Sequence, residues 1–102
     1  MVRVVGNSVF LQGDIEGDIV ERDLALCLDL IPFENYSHII VDISKAKYIS
    51  TGCLKLICGF VWDVTVVDIH VSIVCNERNE WQTTLSNILM KMDNDRIGVV
   101  KI

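Results

Sequence analysis

The sequence predicts an α/β domain built on a mixed, mainly parallel β-sheet with helices packed against it, in the order β-β-α-β-α-β-α-β. Three observations carry this. Short runs rich in Val and Ile alternate with longer stretches whose apolar residues recur at helical spacing. Strands that alternate with helices are joined by crossover connections, which make neighbouring strands parallel and the later β-α-β units right-handed. The chain has 102 residues, 51% of them hydrophobic, with a single Pro and no visible repeat or linker. That describes one domain over residues 1–102, long enough to bury about 65% of the surface its unfolded form would expose.

Val2–Val5 and Ser8–Leu11 are β-rich runs separated by Gly6-Asn7, a hairpin turn sequence. Gly13-Asp14-Ile15-Glu16-Gly17-Asp18 mixes glycine with acids and reads as a loop feeding a helix. From Ile19 to Ile31, Val20, Leu24, Cys27, Leu28 and Ile31 form a helical stripe. Asp18 is its expected N-cap, Glu21 completes a capping box variant, and Pro32 ends it. His38–Ile43 is a nearly continuous β-branched run, the pattern of a buried strand. After a short connection, Leu54, Ile57, Cys58, Val61 and Trp62 make a second helical stripe. Ile69, Val71, Ile73 and Cys75 alternate with His70, Ser72 and Val74 as a strand. Asn79 caps a third helix carrying Trp81, Leu85, Ile88, Leu89 and Met92, and a last strand lies around Gly98–Ile102. Trp62 and Trp81 are expected in the core.

Composition excludes several partners. The 9 Lys+Arg stand against 14 Asp+Glu, a formal net charge of −5, with no basic cluster. Nucleic acid and anionic membrane surfaces both need such clusters. The longest stretches free of charged residues, Val4–Gly13 and Trp81–Met90, have ten residues each, whereas a membrane span needs about 20. The first residues contain no apolar export core, so the cytoplasm is the expected compartment. Cys27, Cys53, Cys58 and Cys75 each sit in an apolar segment without CxxC spacing, the pattern of buried thiols rather than a zinc site or redox pair.

Conventional catalysis finds little support. His38 and His70 lie at or in strands, with no nucleophile beside them in sequence. The glycines form neither GxGxxG nor a P-loop, so no cofactor is expected. Asp14, Glu16 and Asp18 do not continue into a calcium loop, and acids before a helix are explained by its dipole. Cys53, at a helix start that lowers thiol pKa, is the one cysteine a thiol enzyme could use.

The informative stretch is Val41-Asp42-Ile43-Ser44 followed by Ser50-Thr51-Gly52-Cys53-Leu54. A strand leads into a helix through two hydroxyl residues and two small ones. Ser50 or Thr51 can cap the free N–H groups of that helix. The same geometry can hold a phosphate placed on either hydroxyl, because those N–H groups and the helix dipole favour anions.

These residues resemble a STAS domain, the fold of bacterial anti-sigma factor antagonists. Val41-Asp42-Ile43-Ser44 is similar to the family's apolar-Asp-apolar-Ser strand, and Leu11-Gln12-Gly13-Asp14-Ile15 to its Leu-x-Gly-acid-Leu entry to the first helix. In an ungapped alignment Ser50 stands where the family has Asp, Thr51 at the phosphoacceptor, Gly52 and Cys53 at the small positions, and Leu54 at the Leu. Shifting by one makes Ser50 the acceptor; the ungapped form keeps Leu54 on the helix's core face. The resemblance covers nearly the whole chain in element order, but only residues 11–15 and 39–57 in motifs.

The resemblance implies an interaction module rather than an enzyme. Its partner would be an ATP-binding anti-sigma factor of the serine/threonine kinase type, bound by a monomer or weak dimer through Asp14, Glu16, Asp18, Gly52, Cys53 and Lys55. Phosphorylation at Thr51 or Ser50 would add charge beside Asp14 and Glu16 and oppose docking. The alternative within the family is a constitutive, unphosphorylated subunit of a larger complex, such as a lipid-transport ATPase. The alternative outside it is the thiol enzyme at Cys53.

Overall fold

The computed structural model describes every residue from Met1 to Ile102. Its elements are β1 (Val2–Val5), β2 (Ser8–Ile15), α1 (Asp18–Leu30), a 3-10 turn (Phe33–Asn35), β3 (His38–Ile49), α2 (Thr51–Val66), β4 (His70–Cys75), α3 (Glu80–Met90) and β5 (Ile97–Lys101). The strands form one 5-stranded sheet in sequence order. β1 and β2 pair antiparallel, and every later pair is parallel. The order and the mainly parallel sheet are those expected from the sequence.

Each crossover joins adjacent strands and steps in the same direction, so crossovers of one hand stack their helices on one face. Burial follows that rule. Val9, Leu11, Ile39, Val41, Ile43, Val71 and Ile73 face the helices and are buried, while Phe10, Ile40, Asp42, Ser72 and Val74 on the opposite face are half-buried. Leu24 and Leu28 of α1, Ile57, Val61 and Val64 of α2, and Leu89 of α3 complete a single core cluster of 21 residues. Phe33 meets Phe60 edge to face at 6.0 Å between ring centroids, closing the space between the 3-10 turn and α2.

Several expectations are corrected. Gly13–Ile15 is not loop, because β2 runs through Ile15 against a β3 that continues through Ile49. Polar Ser44, Lys45 and Lys47 disguise that extension, since alternation fails where the register slips. β3 takes an extra residue twice: between the pairs Phe10–Asp42 and Gln12–Lys45, and between Gly13–Ala46 and Asp14–Tyr48. Gly13 accommodates the second slip at φ 76.

Asp18 is not the N-cap. Gly17, at φ 92, holds that position and leaves no side-chain cap bond, so Glu21 completes no capping box. Ile57, Val61 and Leu89 of the expected stripes are buried, but Trp62 is 54% and Ile88 58% exposed, because the buried faces centre on Cys53, Ile57, Phe60, Val61 and Val64 in α2 and on Gln82, Ser86 and Leu89 in α3. Trp81 packs partly buried against the core. Cys53 and Cys75 are buried free thiols, whereas Cys27 and Cys58 are partly exposed.

Candidate functional site

The start of α2 is built by the two longest strands. Asp42 Oδ1 accepts hydrogen bonds from Ser44 N (2.9 Å) and Ser44 Oγ (2.6 Å), fixing the first register slip. This gives the apolar-Asp-apolar-Ser pattern a local structural task. Gln82, 1% exposed, reaches across from α3 and donates through Nε2 to Ala46 O (2.9 Å) and Ser44 O (3.3 Å). Its Oε1 accepts from Asn76 N at 2.8 Å, so one buried amide ties the bulged strand to the loop after β4. At the strand ends Ser50 N donates to Ile15 O at 2.9 Å, which fixes where α2 begins relative to β2.

Ser50 and Thr51 then divide their roles. Ser50 is the N-cap: its Oγ accepts from Cys53 N (3.3 Å) and its carbonyl from Leu54 N (2.8 Å). Thr51 is the first helical residue, exposed, and its hydroxyl makes no hydrogen bond. No acid stands in the first turn of α2. The Glu21 carboxylate comes over from α1 instead: a methyl group placed on Gly52 would lie 2.7 Å from Glu21 Oε2. Gly52 therefore leaves room for a carboxylate at the positive end of α2.

The expected site residues are brought together in part. Asp14 pairs with Tyr48 across the strands, and Glu16 follows the Ile15 that holds Ser50. Asp18 is exposed on the first turn of α1. Lys55 is exposed one turn into α2 and lines a groove of about 360 Å³ between α1 and α2, together with Asp29, Asp63, Phe33 and Phe60. Cys53 does not belong to this surface. Its side chain has no exposure, so it can neither touch a partner nor serve as an accessible nucleophile, and Leu54 beside it is only half-buried. Burial pushes the Cys58 thiol up from its ordinary value.

Sequence reasoning missed three residues here. Glu21 was legible only as a capping position on its own helix, and Gln82 only as a polar residue in an amphipathic helix. Tyr48, half exposed, lines a second recess with Lys47, Ile49 and Trp81; the reading of residues 44–49 as a connection hides its placement.

No protein-family model and no curated protein matches the chain by sequence. Solved structures do match. One, the crystal structure of diguanylate cyclase SiaD in complex with its activator SiaC from Pseudomonas aeruginosa, superposes with a TM-score of 0.69 at 14% identity, over 100% of this chain and 93% of that one. Another, the anti-sigma factor antagonist SpoIIAA in its unphosphorylated form, gives a TM-score of 0.63 at 10% identity, over 100% of this chain and 87% of that one. Both likenesses run the full length of the chain, through the bulged third strand and the capped second helix, and together with the sheet order they identify its fold as that of a STAS domain.

Proposed function

We propose that this chain is a protein–protein interaction module whose docking surface is centred on the start of α2 and is sensitive to charge at Thr51. The observation that carries the reading is the division of labour between the two hydroxyls. Ser50 is committed to capping, while Thr51 projects an unengaged hydroxyl to solvent at a helix N-terminus. A phosphate there would carry about −1.5 to −2 charges and three acceptor oxygens. Asp14 and Glu16 flank Ile15, whose carbonyl accepts from Ser50 N at the end of β2, and Glu21 lies over Gly52, so like-charge repulsion and desolvation would oppose docking of a partner that fits the unmodified surface.

The partner class suggested by the fold is an ATP-binding anti-sigma factor of the serine/threonine kinase type, with the domain acting non-enzymatically in the cytoplasm. A second reading is a constitutive subunit that binds its partner without a switch. The complex of diguanylate cyclase SiaD with its activator SiaC supports the protein-binding part that both readings share. Paired capture from the native host's lysate, with wild type and Thr51→Asp as baits, tests the two. Retention of an ATPase- or kinase-like protein by wild type and its loss with Thr51→Asp supports the switch. Equal retention by both baits supports the fixed subunit, and retention by neither contradicts both.

A further inference from the structure

We propose that Glu21 is an internal anion for the mouth of α2, and that negative charge on Thr51 acts by expelling it, so that modification is transmitted to the first turns of α1. The inference deepens the switch reading above and rests on it for its biological use, but not for its test.

The geometry is specific. α2 opens with free N–H groups at Thr51 and Gly52, because the Ser50 cap reaches only Cys53 and Leu54. No residue of α2's own first turn is acidic. The Glu21 carboxylate, exposed and without an ion-pair partner, fills the space over Gly52 so closely that a methyl group there would meet Oε2 at 2.7 Å, Cδ at 3.0 Å and Oε1 at 3.1 Å. Both carboxylate oxygens are thus turned towards the start of α2. Thr51 is the adjacent residue and its hydroxyl is free. A charge introduced there would share the field of the same helix end, and two anions this close destabilise one another. Since Glu21 is carried on the first turn of α1, whose N-cap Gly17 makes no side-chain cap bond, α1 is the element free to yield.

The consequence is a sign reversal that a plain surface effect would not produce. An acid in the first turn of a helix ordinarily stabilises it. With Glu21 in place, Thr51→Glu should instead destabilise the fold and raise the unfolding equilibrium constant; with Glu21→Gln, the same substitution should be neutral or lower it. The four proteins (wild type, each single variant, and the double variant) are unfolded in urea at low and at high salt. The expected coupling is about twofold to fivefold in the unfolding constant at low salt, shrinking at 1 M salt as screening requires.

Amide exchange over Glu21–Leu24 should accelerate with Thr51→Glu in the wild-type background only. Equal effects of Thr51→Glu in both backgrounds would overturn the proposal, as would coupling that ignores salt. Partner capture with Thr51→Asp is read separately. Additive unfolding with lost capture refutes the Glu21 mechanism and leaves the switch standing. Coupled unfolding with capture intact supports the Glu21 contact and refutes the switch.

Discussion

Replacing Gln82 with Ala tests how the site is held. The side chain is 1% exposed and makes three hydrogen bonds, to Ala46 O at 2.9 Å, to Ser44 O at 3.3 Å and from Asn76 N at 2.8 Å. The 3.3 Å contact is weak, so the loss is governed by the other two. Each is worth about 1 kcal/mol net, and a donor or acceptor left buried without a partner costs about 1–3 kcal/mol. With some relaxation the total is about 3 kcal/mol, a large share of the roughly 5–15 kcal/mol that holds a domain of this size. It should appear as a fall of roughly 10–20 °C in Tm and a lower urea midpoint, followed by tryptophan fluorescence and circular dichroism. Gln82→Glu separates hydrogen bonding from volume. The carboxylate can still accept from Asn76 N but, while ionised, cannot donate to the two carbonyls. Burial raises its folded pKa above the unfolded value, so the stability of that variant should be greatest at low pH and fall as pH rises through the folded pKa. A loss below about 0.5 kcal/mol for Gln82→Ala, the range of an ordinary surface change, would refute the view that this amide anchors the bulged strand.

Further outcomes follow from the same geometry. Ser50→Ala removes the cap and should cost about 1 kcal/mol in urea unfolding, whereas Thr51→Ala, at an exposed and unbonded position, should change stability by less than about 0.5 kcal/mol. Gly52→Ala should be tolerated, gaining up to about 0.5–1 kcal/mol from helix propensity because the atoms it meets belong to the end of the flexible Glu21 side chain. A crystal structure or NMR spectrum of Gly52→Ala should show that carboxylate displaced. In native protein at neutral pH an aromatic disulfide reagent should reach Cys27 and Cys58 but not Cys53 or Cys75. Cys58 should react slowly and accelerate as pH rises, since burial holds its thiol above the ordinary value. Fast labelling of Cys53 would contradict its place in the core.

The elements best read from sequence were those whose periodicity is a direct consequence of burial on one face. Val71, Ile73 and Cys75 on β4 alternate with His70, Ser72 and Val74 because the helices cover one side of the sheet, while β3 is legible as the nearly continuous β-branched run of His38–Ile43. Asn79 was legible as a cap for the same reason that it works as one, its Oδ1 accepting from Gln82 N. The failures have physical causes too. Two register slips in β3 destroy alternation between Asp42 and Ile49, so the sequence there carries the pattern of a connection rather than a strand. Trp62 lies on the helical stripe through Ile57 and Val61 but at its edge, and α1 and α3 leave that edge uncovered. The hydroxyl pair was legible as a pair; which member caps could be decided only by where Ile15 fixes Ser50. Glu21 and Gln82 act across elements, on Gly52 and on Ala46, and spacing within one helix carries no trace of such contacts.

The central claim is that a charge-sensitive docking surface lies at the start of α2. The most direct measurement is a calorimetric titration of the captured partner with the unmodified chain and with the chain carrying phosphothreonine at position 51. The account predicts an affinity at least about a hundredfold lower for the phosphorylated form, a difference of about 3 kcal/mol, with Ser50→Ala binding like wild type once its smaller stability is allowed for. Equal affinity of the two forms would contradict it.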